Sequence, residues 1–138
     1  MRKILLVGLA LVLVAAVNTA LAQEQAADTQ NKPISWDNWR AAKAAAEKFD
    51  NEGKFVEALQ YYLEYARQAE GLGSQELVAW GKNNAAYMII KRHKLDATID
   101  LAPAKKLLEE AMAIGEARED CKKSLALNME YVEFFLKK

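Results

Sequence analysis

The chain has 138 residues, with 19 Lys and Arg against 19 Asp and Glu, one His, one Cys and 52% apolar residues. This composition is typical of one globular domain or one small array of helices. It excludes a disulfide-stapled miniprotein, an acidic disordered tail and a strongly basic nucleic-acid binder. One His and one Cys cannot form a His/Cys metal cluster, so we expect no metal. The balanced charge predicts no nucleic-acid partner, and the lack of a cofactor-binding motif predicts no cofactor.

Residues 1–22 have the pattern of a secretory signal peptide. Arg2 and Lys3 form a positive end, residues 4–17 are a nearly unbroken apolar run, and Ala20 and Ala22 stand where signal peptidase requires small residues. As a helix the run is roughly 21 Å long, too short to cross a hydrocarbon core of about 30 Å comfortably. We therefore expect cleavage, no stable membrane span afterwards and a periplasmic or secreted mature chain. An uncleaved anchor is the alternative.

The remaining sequence predicts an all-α domain after a leader. Residues 23–34 are expected to form a flexible leader, because most of them are polar or small. From 35 to 138 alanine is abundant, β-branched residues are few, and no stretch alternates apolar and polar residues as a half-buried strand does. We expect antiparallel helical hairpins over 35–138.

Five helices are predicted in this domain, and local signals mark their ends. Ser35 and Ser74 are favoured N-caps, Gly53 and Gly115 can close turns, and Pro103 is tolerated only in a first helical turn. The expected bounds are about 36–52, 55–70, 75–90, 101–114 and 116–135.

Cys121 belongs to an apolar stripe on the last predicted helix. Leu125, Met129 and Val132 follow it at spacings of four, four and three, which places all four side chains on one side of the helix. A lone thiol in an oxidising compartment cannot close an internal bridge. We expect a buried, inert thiol, and a redox or dimer-linking role is the alternative.

The alternation of small and large residues in the predicted hairpins resembles that of the tetratricopeptide repeat family. In the first hairpin, the matching positions are Ala46, Phe49, Gly53, Ala58 and Tyr62. In the second hairpin they are Ala86, Ile89, Ala104, Leu108 and Ala111. The alternative register of its first helix lies two residues earlier and uses Trp80 and Tyr87, with Asn84 at the small position. Tyr65 departs from the pattern, because it stands where the family has a small residue. The resemblance implies two repeats plus a C-terminal capping helix, with either the cap or a second chain completing the core, so a homodimer is possible.

The resemblance also implies a concave groove, lined by the first helix of each repeat, that binds a protein or peptide. Eight side chains would face this groove: Arg40, Lys43, Glu47, Asp50, Trp80, Asn83, Asn84 and Tyr87. An amide can donate to and accept from a peptide backbone, and Trp and Tyr offer rigid contact area. Glu47 stands where the family's carboxylate-gripping version has an amide, which argues against binding of peptide C-termini. The alternative for each residue is a solvated helix face.

Tyrosine and basic clusters have ordinary interpretations beside functional ones. Tyr62 is expected in the core, while Tyr61 and Tyr65 either rim an interface or extend their hydroxyls to solvent. The basic stretch 91–94 is expected to be a solvated helix end, with anion binding as the alternative. His93 has no partners at a spacing typical of a zinc site.

The sequence carries no catalytic motif, so we do not expect an enzyme. The carboxylate pairs 109–110 and 119–120 are adjacent on helices, where side chains point about 100° apart and cannot converge on one bond. Phosphate-loop, nucleophile-elbow and metalloprotease motifs do not occur. The sequence therefore predicts a non-catalytic, exported interaction module, an adapter or scaffold for a protein or peptide. The alternative is a periplasmic helical protein that binds a small ligand.

Overall fold

The computed structural model describes residues 32–138, and these contain helices and no strand. The all-α prediction is therefore confirmed for this part of the chain. The predicted signal peptide and the leader up to residue 31 lie outside the described residues. The helices are α1 Trp36–Asn51, α2 Phe55–Gly71, α3 Gln75–Leu95, α4 Ala102–Met112 and α5 Glu119–Leu136.

Capping side chains explain where two of these helices begin. The Ser35 hydroxyl accepts a hydrogen bond from the Asn38 amide at 3.1 Å, as expected of an N-cap. Ser74 occupies the N-cap of α3, as predicted, but its side chain makes no capping hydrogen bond. At α4, a carboxylate oxygen of Asp100 accepts from the Ala102 amide at 2.9 Å, and Pro103 occupies the first turn. The first turn of a helix is the position where Pro removes no intrahelical bond.

The third helix is longer than its sequence pattern predicts. It continues through the basic stretch 91–94 and ends at Leu95, because His93 is buried against α5 and not exposed at a fraying end. The fourth helix ends at Met112 and the fifth begins at Glu119, so the connection between them is longer than expected. Tertiary packing, which local propensity does not report, sets both differences.

Successive helices pair with one another, and α5 also packs against α3. The α1–α2 and α2–α3 turns each contain a glycine with a positive φ, Gly53 at 73° and Gly73 at 76°. Residues with a Cβ rarely adopt this conformation, and these turns reverse the chain within a few residues.

Alanines lie at the helix contacts of both core clusters. Ala46 and Ala58 are fully buried in the cluster formed by α1, α2 and α3. Ala86 and Ala104 are fully buried in the cluster formed by α3, α4 and α5. A side chain of one methyl group lets the neighbouring helix approach closely, so these positions do not tolerate larger residues.

The residues just before α1 are attached to α2 through Gln68. The buried Gln68 side chain accepts from the Ser35 amide at 2.9 Å and donates to the Pro33 carbonyl at 2.9 Å. Ile34 packs so closely over Gly71 that a Cβ there would lie 2.7 Å from its side chain. Pro33 and Ile34, assigned to the leader on sequence, are thus held against the helical domain.

Within residues 32–138, every helix is too short or too polar to cross a membrane.

Candidate partner-binding surface

One face of α3 carries three of the predicted groove residues. Trp80, Asn84, Tyr87 and Lys91 follow one another at spacings of four, three and four, which aligns them along the helix. All four are partly exposed. The side-chain amide of Asn84 makes no hydrogen bond within residues 32–138. It can therefore both donate a hydrogen bond to a bound chain and accept one from it. The structure thus places Trp80, Asn84 and Tyr87 on one partly exposed face of α3.

Asn83 does not belong to this open face, and its predicted groove role is wrong. Its side chain is only 1% exposed, because α5 covers it. The Asn83 amide nitrogen donates to the Ser124 hydroxyl at 2.9 Å, and its oxygen accepts from the Asn128 amide nitrogen at 2.9 Å. Asn83 is therefore a buried polar link between α3 and α5. Adjacent helical residues point about 100° apart, so Asn83 is covered while Asn84 stays accessible.

Asp50 is occupied by an ion pair that joins α1 to α3. Its carboxylate lies 2.6 Å from the Lys91 ammonium, and both side chains are largely buried. The same ammonium lies 5.4 Å from the centre of the Phe55 ring and 4.9 Å from that of Tyr87. These contacts satisfy Asp50 within the domain, so it holds two helices together and is not an open groove position.

The other predicted residues of α1 remain exposed and pair locally. Arg40 contacts Asp37 at 2.8 Å, and Lys43 bonds to Glu47 one helical turn away. Exposed pairs of this kind contribute about 0.5 kcal/mol at most and exchange readily with other partners. Arg40, Lys43 and Glu47 are thus accessible along one face of α1, and each is paired within that helix.

The fifth helix adds aromatic residues that the sequence analysis did not assign to a binding surface. Leu127, Tyr131 and Phe134 are spaced by four and three on one face of α5. The Lys94 ammonium at the end of α3 lies 5.8 Å from the Tyr87 ring centre and 5.1 Å from the Tyr131 ring centre. Lys94 therefore connects the α3 row to α5. The spacing of the α5 residues was visible in the sequence, but their side of the helix depends on how α5 crosses α3.

His93 fixes the aromatic cluster at the ends of α3 and α5. It is 7% exposed, and its Nδ1 lies 2.8 Å from the Tyr131 hydroxyl. Its ring also meets that of Phe135 edge-on, with centroids 4.8 Å apart. Burial raises the pKa of the Tyr131 phenol. His93 thus positions Tyr131.

The three tyrosines of α2 differ from the expectation in which of them are buried. Tyr62 is buried, as predicted. Tyr65 is also buried, at 5% exposure, whereas both alternatives considered for it placed it at the surface. Tyr65 lies against Trp39 with ring centroids 5.0 Å apart, and burial raises its pKa to about 12. Tyr61 stacks on Phe49 at 5.5 Å. The large residue at 65, where the resemblance expects a small one, fills space beside Trp39.

Cys121 is completely buried, which confirms the expected burial of the free thiol. Burial is the main cause that raises its pKa, with the nearby Asp120 and Glu76 carboxylates adding to the effect. A protonated, enclosed thiol reacts slowly with oxidants and other thiols.

A separate open cavity of about 370 Å³ lies where α2 begins and α3 ends. Its apolar lining includes Phe55, Val56 and Ile99, and the Arg92 side chain borders it. Nowhere in residues 32–138 do three His, Cys, Asp or Glu side chains converge as metal ligands.

Neither family models, nor curated proteins, nor solved structures give a match to this chain.

Proposed function

We propose that this protein is an exported, non-catalytic helical module of the tetratricopeptide type that binds a protein or peptide. The observation that carries the proposal is the partly exposed row on α3, in which Trp80 and Tyr87 flank the side-chain amide of Asn84 while also packing on the core. Aromatic side chains of this kind supply most of the energy at many interfaces, and an adjacent free amide adds direction. The exposed parts of the two rings contact water in the free protein, and a bound partner would bury this apolar surface.

The buried alanines support the repeat interpretation. Ala46, Ala58, Ala86 and Ala104 were assigned on sequence to close helix contacts, and all four are fully buried. In a repeat array each helix pair buries its face against the next pair and leaves one continuous surface for a partner. The packing of α5 on α3 is what a capping helix would do under this proposal.

The experiment is partner capture from an extracytoplasmic extract of the source organism. Immobilised protein should enrich one defined partner, and Trp80→Ala and Asn84→Ala should each reduce its recovery. Leu63→Ala, which truncates a partly exposed leucine on α2, is the matched control and should not. If both groove variants retain full capture, the assigned surface is wrong; if nothing specific is enriched by the wild type, the proposed function fails.

Export is tested separately from binding. Under the proposal, the protein recovered from cells lies outside the cytoplasm and begins after residue 22, which intact-mass measurement reads directly. A full-length mass would favour the uncleaved anchor.

The cavity beside Arg92 favours one alternative, a small-ligand binder. Its volume of about 370 Å³ is at the lower end of the range for small-molecule sites. Native mass spectrometry of the purified protein would then show a retained small mass, which Val56→Trp should abolish by filling the cavity.

A further inference from the structure

The open cavity of about 370 Å³ between the start of α2 and the end of α3 has both an apolar and a charged lining. Its apolar lining consists of Phe55, Val56, Leu95 and Ile99. Its charged lining consists of Lys54, Glu57, Arg92 and Asp96. The two cations and two anions balance, so the lining favours neither a net anion nor a net cation. The volume suits a molecule of about the size of an amino acid.

Two of the charged residues already have partners within the domain. The Lys54 ammonium lies 3.0 Å from a carboxylate oxygen of Glu52. One carboxylate oxygen of Asp96 accepts hydrogen bonds from the Thr98 hydroxyl at 2.6 Å and from the Thr98 backbone amide at 3.0 Å. Lys54 and Asp96 are also exposed, so water solvates them in the free protein. These two residues therefore contribute little to the choice of a ligand.

Glu57 and Arg92 differ from the other two, because both are partly buried and neither has a side-chain partner. Within residues 32–138, neither side chain forms an ion pair or a hydrogen bond, and the two do not pair with each other. Glu57 lies in the first turn of α2 and Arg92 in the last turn of α3, where the helix dipoles favour a negative and a positive charge respectively. The helix ends thus favour both charges and leave both groups available to a ligand.

We propose that this cavity binds a small zwitterion, a molecule with one ammonium and one carboxylate, that also has an apolar body. A free amino acid with an apolar side chain is its simplest representative. The ligand carboxylate binds the Arg92 guanidinium, which presents paired donors to such a group, and the ligand ammonium binds the Glu57 carboxylate. The apolar body packs on Phe55, Val56 and Ile99.

A zwitterion fits this lining better than a simple acid or amine does. It gives an opposite charge to each unpaired group and adds no net charge to a balanced lining. The cavity shares no residue with the α3 row, so the inference goes beyond the proposed partner binding and does not depend on it. It gives a chemical class to the ligand of the small-ligand alternative.

The test compares L-leucine with three analogues, using backbone-amide chemical shifts in an NMR titration of the purified protein. N-acetyl-L-leucine lacks the ammonium, L-leucinamide lacks the carboxylate, and glycine lacks the apolar side chain. Leucine should bind and should shift amides within 53–57 and 92–99. Each analogue should bind about tenfold more weakly or worse, because it loses one of the three contacts. The dipeptide L-leucyl-L-leucine places the two charges further apart, and tighter binding of it would support a zwitterion site made for a dipeptide.

Variants of the two unpaired residues test which ligand group each one contacts. Arg92→Gln should weaken leucine binding about tenfold and leave the affinity for leucinamide unchanged, because leucinamide has no carboxylate. Glu57→Gln should weaken leucine binding to a similar extent and leave the affinity for N-acetyl-leucine unchanged. Lys106→Gln and Glu130→Gln change exposed charges on α4 and α5, and as matched controls they should bind leucine as the wild type does.

Some results would overturn the inference. They are no binding of either leucine or leucyl-leucine, and equal binding of leucine and an analogue that lacks one charge. A third is an Arg92→Gln variant that weakens leucine and leucinamide by the same factor, since a purely structural effect would change all ligands alike. Thermal unfolding shows whether each variant is folded, and the comparison of ligands on the wild type needs no variant.

The results also separate this inference from the proposed function. Failure of leucine and leucyl-leucine to bind, with specific partner capture retained, would overturn the inference alone. Leucine binding together with failed partner capture would support the inference and overturn the proposed partner binding.

Discussion

Replacing each of two neighbouring asparagines by alanine tests the register of α3 directly. Asn83→Ala removes the two hydrogen bonds that the buried Asn83 makes to the partly buried Ser124 and Asn128, and it leaves a gap between α3 and α5. Each lost bond costs about 1 kcal/mol, and the gap adds to the loss. We expect the free energy of unfolding to fall by about 2–4 kcal/mol. That is a large share of the roughly 5–15 kcal/mol typical of a domain.

Asn84→Ala is the matched control for this effect. The Asn84 amide makes no hydrogen bond within the part of the chain that the structure describes, and alanine has the higher helix propensity. We expect its free energy of unfolding to stay within about 0.5 kcal/mol of the wild type. Urea unfolding followed by circular dichroism measures the free energy of unfolding of both variants. If that free energy falls by about 2 kcal/mol per molar urea, the unfolding midpoint of Asn83→Ala should lie about 1–2 M below that of the wild type. Equal midpoints, or a greater loss for Asn84→Ala, would refute the assigned register.

Three further changes test the packing, the N-terminal attachment and the alkaline stability. Gly81→Ala would place a Cβ 2.6 Å from the Tyr65 ring, so we expect the free energy of unfolding, measured in urea, to fall by about 1 kcal/mol. An increase would contradict the close contact between α2 and α3. Gln68→Ala removes the oxygen that accepts a hydrogen bond from the Ser35 backbone amide, so hydrogen exchange at this amide should be faster than in the wild type. Unchanged exchange would show that other contacts hold the residues before α1. Burial raises the Tyr62 pKa to about 12 from about 10, so the unfolded state loses this proton first and stability falls as pH rises between these values. Tyr62→Phe should lose less stability over that range, by up to about 3 kcal/mol, and equal losses would contradict the assignment.

The helices themselves were predictable because local signals define them. Ser35 caps α1, Gly53 closes the first turn, and Pro103 stands in the first turn of α4, as expected from side-chain chemistry alone. The buried alanines at the helix contacts were also predictable, since their spacing follows the helical repeat. Ser74 is the exception: its residue type suits a cap, but its side chain makes no capping bond.

The division of the surface between covered and open residues was not predictable from the sequence. Asn83 and Asn84 are the same residue type side by side, and only the crossing of α5 over α3 covers one of them. Asp50 was assigned to the groove from its position on the first helix, but it forms an ion pair with Lys91, which is distant in the sequence. The role of Tyr131 likewise depends on Lys94 and on the packing of two helices that are not consecutive. Local patterns carry no information about such crossings.

Cross-linking from Leu127, on the face of α5 that also carries Tyr131, tests the central claim most directly. Leu127→Cys introduces an accessible thiol, while the buried Cys121 should remain unmodified, so a thiol-directed photo-cross-linker attaches at one site. Irradiation in an extracytoplasmic extract should give a specific adduct from Leu127→Cys and none from the control Leu63→Cys on α2. An adduct from the control alone, or equal adducts from both positions, would contradict a partner-binding surface on α3 and α5.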